Sequence, residues 1–486
     1  MGAASPDKNT ESPAICHVPD RPVTKTGKLI ILFIAVLAGF LTPFDGSAVN
    51  VALPAIGTAF HMDAVALSWV ATAYLLSAVL FLVPFGKIAD IYGRKKIFLI
   101  GITIFGAASF LMTLVPSAAM LIAVRIIQGF GASMIYGTSV AIVTSVFPPG
   151  ERGKALGIYT TAVYLGLTVG PFLGGIMTDA FGWRSIFYIN IPIAVATVAI
   201  VIARLEGEWL ECEGEKFDLA GSVLYGLALV AVMYGFSELP SAYGGILILA
   251  GIILAVAFVL FEQRQQYPVL SLRLFSESRV FTFSSLAALI NYSATFAVSF
   301  LLSLYLQYTK GFSPEDTGII LVAAPLVQAA IAPFAGRLSD RIEPGIIASA
   351  GMGISTFGVF MLVFLSGTTP LWYIVIALVV LGAGFGLFSS PNTNAIMSSV
   401  KKKYYGVASG IVSTMRLLGQ MLSMGIATMT FAIVIGRVEI TPELYPEFNA
   451  SIHYAFIIFT VLCLLGIYAS LIRHEQRNIG PAGPAM

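Results

Sequence analysis

"GFLTPFDGSAVNVALP", residues 39–54, lies in a stretch from Leu29 to Phe60 whose single charge is the carboxylate of Asp45. Roughly 20 apolar residues cross the hydrocarbon core of a bilayer, and this stretch is longer than that. An acid in lipid is expensive and usually marks an ion or proton path. Whether the stretch is a membrane span depends on the rest of the chain. Of its 486 residues, 57% are hydrophobic and 11% charged, with a mean hydropathy of +0.89. Soluble domains carry about 25% charged residues. So much apolar surface cannot be kept from water, and the bilayer is the expected solvent.

Working outward, stretches long enough to span are found at 29–59, 66–88, 96–115, 118–147, 153–179, 184–204, 217–237, 244–262, 279–307, 316–337, 345–366, 371–398, 405–435 and 452–473. That makes fourteen, and an even number puts both termini on one side. With the N-terminus cytoplasmic, the outer loops hold only Arg184, Lys310 and Arg437, and Arg125 and Arg416 fall inside spans. Every other Lys and Arg of the 27 lies on the inner side, as the positive-inside rule requires. The expectation is a multi-pass protein of the cytoplasmic membrane with both termini cytoplasmic. Residues 1–27 are polar and read as a cytoplasmic tail rather than a signal peptide. Cys16, Cys212 and Cys463 lack metal or disulfide spacing, and neither a metal nor a cofactor is expected.

The two halves repeat. "GKIAD" (Gly86–Asp90) is answered by "GRLSD" (Gly336–Asp340), "GFG" (Gly129–Gly131) by Gly384–Gly386, and "RGKALG" (Arg152–Gly157) by "YGVASG" (Tyr405–Gly410). Matches in one order at nearly one offset indicate duplicated helix bundles. The chain divides into a six-helix bundle at 28–204 and a second at 279–473. Between them, 205–278 holds an acidic linker and two inserted helices, and 474–486 is a cytoplasmic tail. The fold class is all-α and polytopic. The linker acids Glu206, Glu208, Glu211, Glu213 and Glu215 read as a solvated connector, with a regulatory contact as the alternative.

Of the 25 acids, Asp45 alone is deep in a span. Pro43, Gly46 and Pro54 are expected to loosen its helix, which is tolerated where backbone faces a cavity. The expected state is an unpaired, water-accessible carboxylate that takes up and releases a proton. The alternative is an acid paired with a buried Arg to hold helices together. Arg125 is one such cation, with Gln128 one turn on, and can lower the pKa of Asp45 as it approaches. Arg416, the other deep cation, reads as structural.

Taken with these motifs, the chain resembles the major facilitator superfamily, and within it the fourteen-helix drug:proton antiporter family. The resemblance rests on "FDGSAVNVALP" (Phe44–Pro54), "GKIADIYGRKK" (Gly86–Lys96), "RIIQGFGAS" (Arg125–Ser133), "GLTVGPFLGG" (Gly166–Gly175) and "FGWRSIFYINIP" (Phe181–Pro192). It departs at Ile91, where the family usually has Arg. The resemblance implies proton coupling through Asp45 and Arg125 and conformational roles for Gly86, Asp90, Gly93 and Arg94; the repeat adds Gly336 and Asp340, and Arg416 is grouped with them as a conformational residue. Gly166, Gly170, Pro171, Gly174 and Gly175 form a smooth face on which two bundles can pack and rock. Gly86 and Gly93 bracket a tight turn, and Arg94, Lys95 and Lys96 face anionic headgroups.

The expected function is proton-coupled efflux by alternating access. Its substrates are lipophilic small molecules, monovalent cations or neutral, because span 10 holds Gln328 and no carboxylate at depth, where the resemblance links an acid to divalent cations. Candidate contacts are Tyr74, Gln128, Tyr159, Tyr164, Asn291, Tyr292, Phe296, Gln328, Asn392 and Asn394. The driving force is the proton gradient. The partners are the substrate, protons and the lipid bilayer, with no nucleic acid, and the protein is expected to be a monomer. A dedicated exporter of a metabolite or lysolipid is the alternative within transport. An intramembrane enzyme is disfavoured because His17, His61, His453 and His474 lie in tails, loops or span edges. A receptor or sensor lacks a sizeable soluble domain.

Overall fold

The computed structural model describes residues 24–205, 207–210, 215–270, 272–339, 341–401 and 404–472. Asp340, Cys16, Cys212 and the linker acids Glu206, Glu211 and Glu213 lie outside the described residues. Fourteen helices are long and apolar enough to cross a membrane: α1 (Lys25–Phe60), α2 (Ala64–Tyr92), α3 (Arg94–Met112), α4 (Ala118–Val146), α5 (Glu151–Phe181), α6 (Ser185–Arg204), α7 (Leu219–Ser237), α8 (Ala242–Glu262), α9 (Arg279–Thr309), α10 (Pro314–Ser339), α11 (Pro344–Val363), α12 (Leu371–Ser398), α13 (Tyr405–Val434) and α14 (Pro442–Leu471). Each coincides with an expected span. Among the described residues there is no strand, only an isolated antiparallel bridge between Asp63 and Glu439.

Local signals explain the helix ends. Thr24, Asp63, Ser117 and Asp218 each cap a helix N-terminus by accepting a backbone N–H, which satisfies a donor the helix cannot pair. The loosening expected in α1 does not occur: one helix of 36 residues runs through Pro43 and Pro54. The break falls in α9 instead, at Phe296 and in a π-helical turn at Tyr305–Thr309.

The packing is duplicated. In the first half α1 packs on α5 and α6, α4 on α2 and α3, and α3 on α6. The same pairs recur eight helices later, with α9 on α13 and α14, α12 on α10 and α11, and α11 on α14. Helices α7 and α8 pair with each other, and α7 lies across α2 and α13 at a seam between the halves. Tyr225 on α7 donates to the Val79 carbonyl at 3.2 Å. Along α8 large apolar side chains such as Ile246, Leu249 and Val256 remain exposed, as expected of a lipid-facing helix.

The halves meet chiefly at the end carrying the 60–64 loop. There Ser68 and Thr428 hydroxyls lie 2.9 Å apart, Gln307 donates to the Val51 carbonyl at 2.9 Å, and Ala64 N–H donates to Val438 at 3.0 Å. Helices α5 and α10 close the same end through Gly175 and Gly318. Toward the opposite end, a Cβ added at Gly153 or Gly157 of α5, or at Gly406 or Gly410 of α13, would meet nothing within 4 Å. The backbones of the two halves thus approach most closely at the 60–64 end.

Candidate functional site

Asp45 and Arg125 meet in the interior of the first bundle. Arg125 Nη1 donates to Asp45 Oδ2 at 2.7 Å, and the two side chains are 1% and 0% exposed. Asp45 Oδ1 accepts from Gln128 Nε2 at 3.1 Å and from Asn190 Nδ2 at 2.7 Å. Arg125 also donates to Gln128 Oε1 at 2.6 Å and, through Nε, to the Val70 carbonyl at 3.0 Å. Gln128 donates onward to Ser109 Oγ at 3.0 Å. The Tyr74 ring lies 4.4 Å from the guanidinium carbon, within cation–π range. One carboxylate thus ties α1, α4 and α6 together, with α2 and α3 completing the shell.

This arrangement corrects the expectation of an unpaired, water-exposed Asp45. In this conformation the acid is paired and sealed. Buried charges are tolerated only when paired and hydrogen-bonded, and here every carboxylate oxygen has a partner. Gln128 and Tyr74, expected on the substrate path, belong to this cluster. Asn190 was not singled out from sequence, although it is the one Asn or Gln of its span. Ser109 gave no signal, because a serine in a helix is ordinary.

Two other expected contacts hydrogen-bond to neighbouring helices. Asn392 donates to the Ser284 carbonyl at 3.0 Å and so ties α12 to α9. Asn394 donates to Ser339 Oγ at 2.9 Å and ties α12 to α10. Asn291 is fully buried, and its amide finds no hydrogen-bond partner among the described residues. Gln328 is 8% exposed and Phe296 half-buried.

The remaining tyrosines converge with Arg416 between the bundles. The guanidinium carbon of Arg416 is 6.0 Å from the Tyr292 ring, and Tyr136, Tyr159 and Tyr164 lie within its electrostatic reach. Tyr164 crosses the gap, its hydroxyl 2.6 Å from Ser389 Oγ, while Tyr292 stands edge-on to Phe385 at 5.2 Å. Arg416, Tyr136, Tyr164 and Tyr292 are half-buried although their helices turn these faces to the middle of the molecule. Each keeps some exposed surface although residues of both bundles meet here. Tyr159, 8% exposed, packs over Gly39 of α1.

The glycine face of α5 divides its work. A Cβ at Gly166 would lie 2.5 Å from the Phe40 carbonyl, and one at Gly174 2.7 Å from Ala48 Cα. Gly170 likewise faces Ser47. These three seat α5 on α1 inside one bundle, which corrects their expected place between bundles. Gly175 and Pro171 do cross, meeting Pro314 and Gly318 of α10.

The loop after α2 also differs from expectation. Gly86 is helical with open space at its Cβ position, as α2 runs on to Tyr92. Only Gly93 turns, at φ +115°, where a side chain would be strained. Arg94 does not face headgroups: it is 5% exposed, pairs with Asp90 at 2.7 Å and donates to Ser145 and the Ala141 carbonyl on α4. Gly336 is helical and approaches Ser390. The linker is no free connector. Glu208 accepts the Lys95 and Lys96 backbone N–H groups at 2.7 and 3.2 Å, and Glu215 pairs with Lys87. An acid at a helix N-terminus satisfies unpaired donors and opposes the dipole. Glu208→Ala is expected to lower stability by about 1 kcal/mol, read as a lower Tm of the detergent-purified protein, with ligand binding retained.

Comparison with known proteins agrees with this architecture. The family described as Major Facilitator Superfamily matches residues 35–424 and 284–485. The riboflavin transporter RibZ of Clostridioides difficile (strain 630) is 33% identical over 408 residues, which cover 83% of this chain and 88% of that one. The multidrug resistance protein Stp of Mycobacterium tuberculosis (strain CDC 1551 / Oshkosh) is 31% identical over 406 residues, 82% of this chain and 75% of its own. Among solved structures, a bacterial homologue of the human lysosomal transporter Spinster, in an inward-facing and unoccupied conformation, superimposes with a TM-score of 0.69. It has 16% identity and covers 95% of this chain and all of that one.

Proposed function

The chain belongs to the major facilitator superfamily, and on that premise we propose that this multi-pass membrane transporter is a proton-coupled exporter of lipophilic small molecules. The observation that carries the coupling is the Asp45–Arg125 pair, held by Gln128 and Asn190 from three helices of one bundle. Protonating Asp45 removes the anion that Arg125 needs. A buried pair that loses one charge costs about 3–5 kcal/mol, so protonation favours a different packing of α1, α4 and α6. A proton taken up at one face and released at the other then drives the bundles between two states. The distribution of Lys and Arg supports placing the 87–95 end in the cytoplasm, so that the closely packed 60–64 end faces outward.

The drug-resistance relative supports export of foreign lipophilic molecules. The riboflavin transporter among the relatives favours a second reading, movement of a dedicated metabolite. Proteoliposomes with a pH-sensitive dye in the lumen test the coupling across a panel of both classes. The expected result is a proton current opposite to substrate movement that a protonophore abolishes. Substrate flux that neither moves protons nor responds to the protonophore overturns the reading. Comparing drug susceptibility and exported metabolites of a deletion strain separates the two substrate classes.

A further inference from the structure

Asp45 is shielded inside its bundle and neutralised by Arg125. That leaves Arg416 as the charge of the inter-bundle cluster described above. Among the described residues no carboxylate lies against it; its surroundings are the phenol rings of Tyr136, Tyr159, Tyr164 and Tyr292. The rings come from α4, α5 and α9 and Arg416 from α13, so the cluster exists only where both bundles contribute.

A deep cation without an anion is costly to keep, and a purely structural arginine would be expected to hold a carboxylate or backbone carbonyls. Among the described residues Arg416 holds neither. It is half-buried between the bundles instead, beside phenol side chains that offer flat apolar faces and hydroxyl donors. Resting on the transport reading above, we propose that Arg416 and its tyrosines are the substrate contact site, selecting a planar aromatic ligand that carries an anionic group. The guanidinium fork binds a carboxylate, sulfonate or phenolate edge, and the rings of Tyr292 and Tyr164 sandwich or edge the aromatic body. A lipophilic cation of the same shape meets like charge at this point and binds less well. The proposal replaces the expected cationic or neutral class with an anionic one. It also gives Tyr164 a second role, because the ligand competes with Ser389 for its hydroxyl and so acts on the contact that bridges the bundles.

Fluorescein and rhodamine 6G share one planar ring system and carry opposite charge at neutral pH. Fluorescence anisotropy of each dye with the full chain in lipid nanodiscs tests the site. Wild type is expected to bind fluorescein saturably and at least about tenfold more tightly than rhodamine 6G. Arg416→Gln is expected to lose roughly ten- to hundredfold in fluorescein affinity, the scale of hydrogen bonds to a charged group. Arg416→Lys keeps part of the preference, and rhodamine 6G binding is unchanged or tighter in Arg416→Gln. Three results overturn the proposal: no saturable fluorescein binding to wild type, rhodamine 6G bound as tightly as fluorescein, or equal fluorescein binding by wild type and Arg416→Gln. The wild-type comparison decides even where the variant does not fold. Dye binding is read at equilibrium with no gradient, and proton coupling as a gradient-driven flux in wild-type proteoliposomes. Failure of the dye preference and failure of proton coupling are thereby seen in different measurements.

Discussion

Asp45→Asn is expected to reduce gradient-driven transport about a hundredfold or more, to the background of empty vesicles. The amide is close in size to the carboxylate but cannot hold a negative charge or exchange a proton at neutral pH. Arg125, 1% exposed, is left as a buried cation facing amides, which costs about 3–5 kcal/mol. A fall in transport alone therefore does not separate coupling from folding. The double variant Asp45→Asn with Arg125→Gln removes both charges. It is expected to recover most of the lost thermal stability, since replacing a buried pair outright is often neutral, and still to show no proton-driven transport. Full gradient-driven transport in Asp45→Asn ends the coupling role. Recovery of transport in the double variant makes the pair structural.

Gly175→Val is expected to cut transport by tenfold or more while leaving the protein folded. The Cβ position of Gly175 lies 2.4 Å from the Pro314 carbonyl, and that of Gly318 2.3 Å from the Pro171 carbonyl. Backbone stands on both sides, so neither helix can yield by turning a side chain. Overpacking at such a point costs about 1–3 kcal/mol, and only in the state where this end is closed. The equilibrium shifts toward states open at the 60–64 end by roughly five- to 150-fold. Spin labels on the 175 end of α5 and the 314 end of α10 report it as a longer distance, with substrate still bound. Unchanged distances together with unchanged transport overturn the view that the α5–α10 contact is the seal. Gly174→Ala makes the control. It crowds Ala48 of α1 within one bundle, so it is expected to lower stability without altering that distance.

Legibility differed by the range of the interaction. The fourteen spans were legible because lipid demands a long apolar run wherever a helix crosses, and each span carries that signal alone. Asp45 was legible as an anomaly for the same reason. Its partnership was half legible: Arg125 and Gln128 share one helix face, but Asn190 arrives from α6, 145 residues away, and nothing local marks it. The glycines of α5 announced close packing without saying on what. Three went to α1 and one to α10. The acids at 208 and 215 looked like solvent-exposed charge, and only the fold brings the N-terminus of α3 and Lys87 to them.

The sequence by itself determined that this chain lives in a bilayer, how many times it crosses, that its halves repeat, and that one acid sits where an acid is costly. All of these follow from hydrophobicity and periodicity, which are properties of single helices. Only the tertiary structure decided that the acid is sealed and paired, and that the bundles close at one end through α5 and α10. It alone placed Arg416 among tyrosines from both halves. Such statements concern side chains from helices far apart in the chain. The free energy of bringing them together depends on distances of a few ångströms, and no pattern along one helix encodes those.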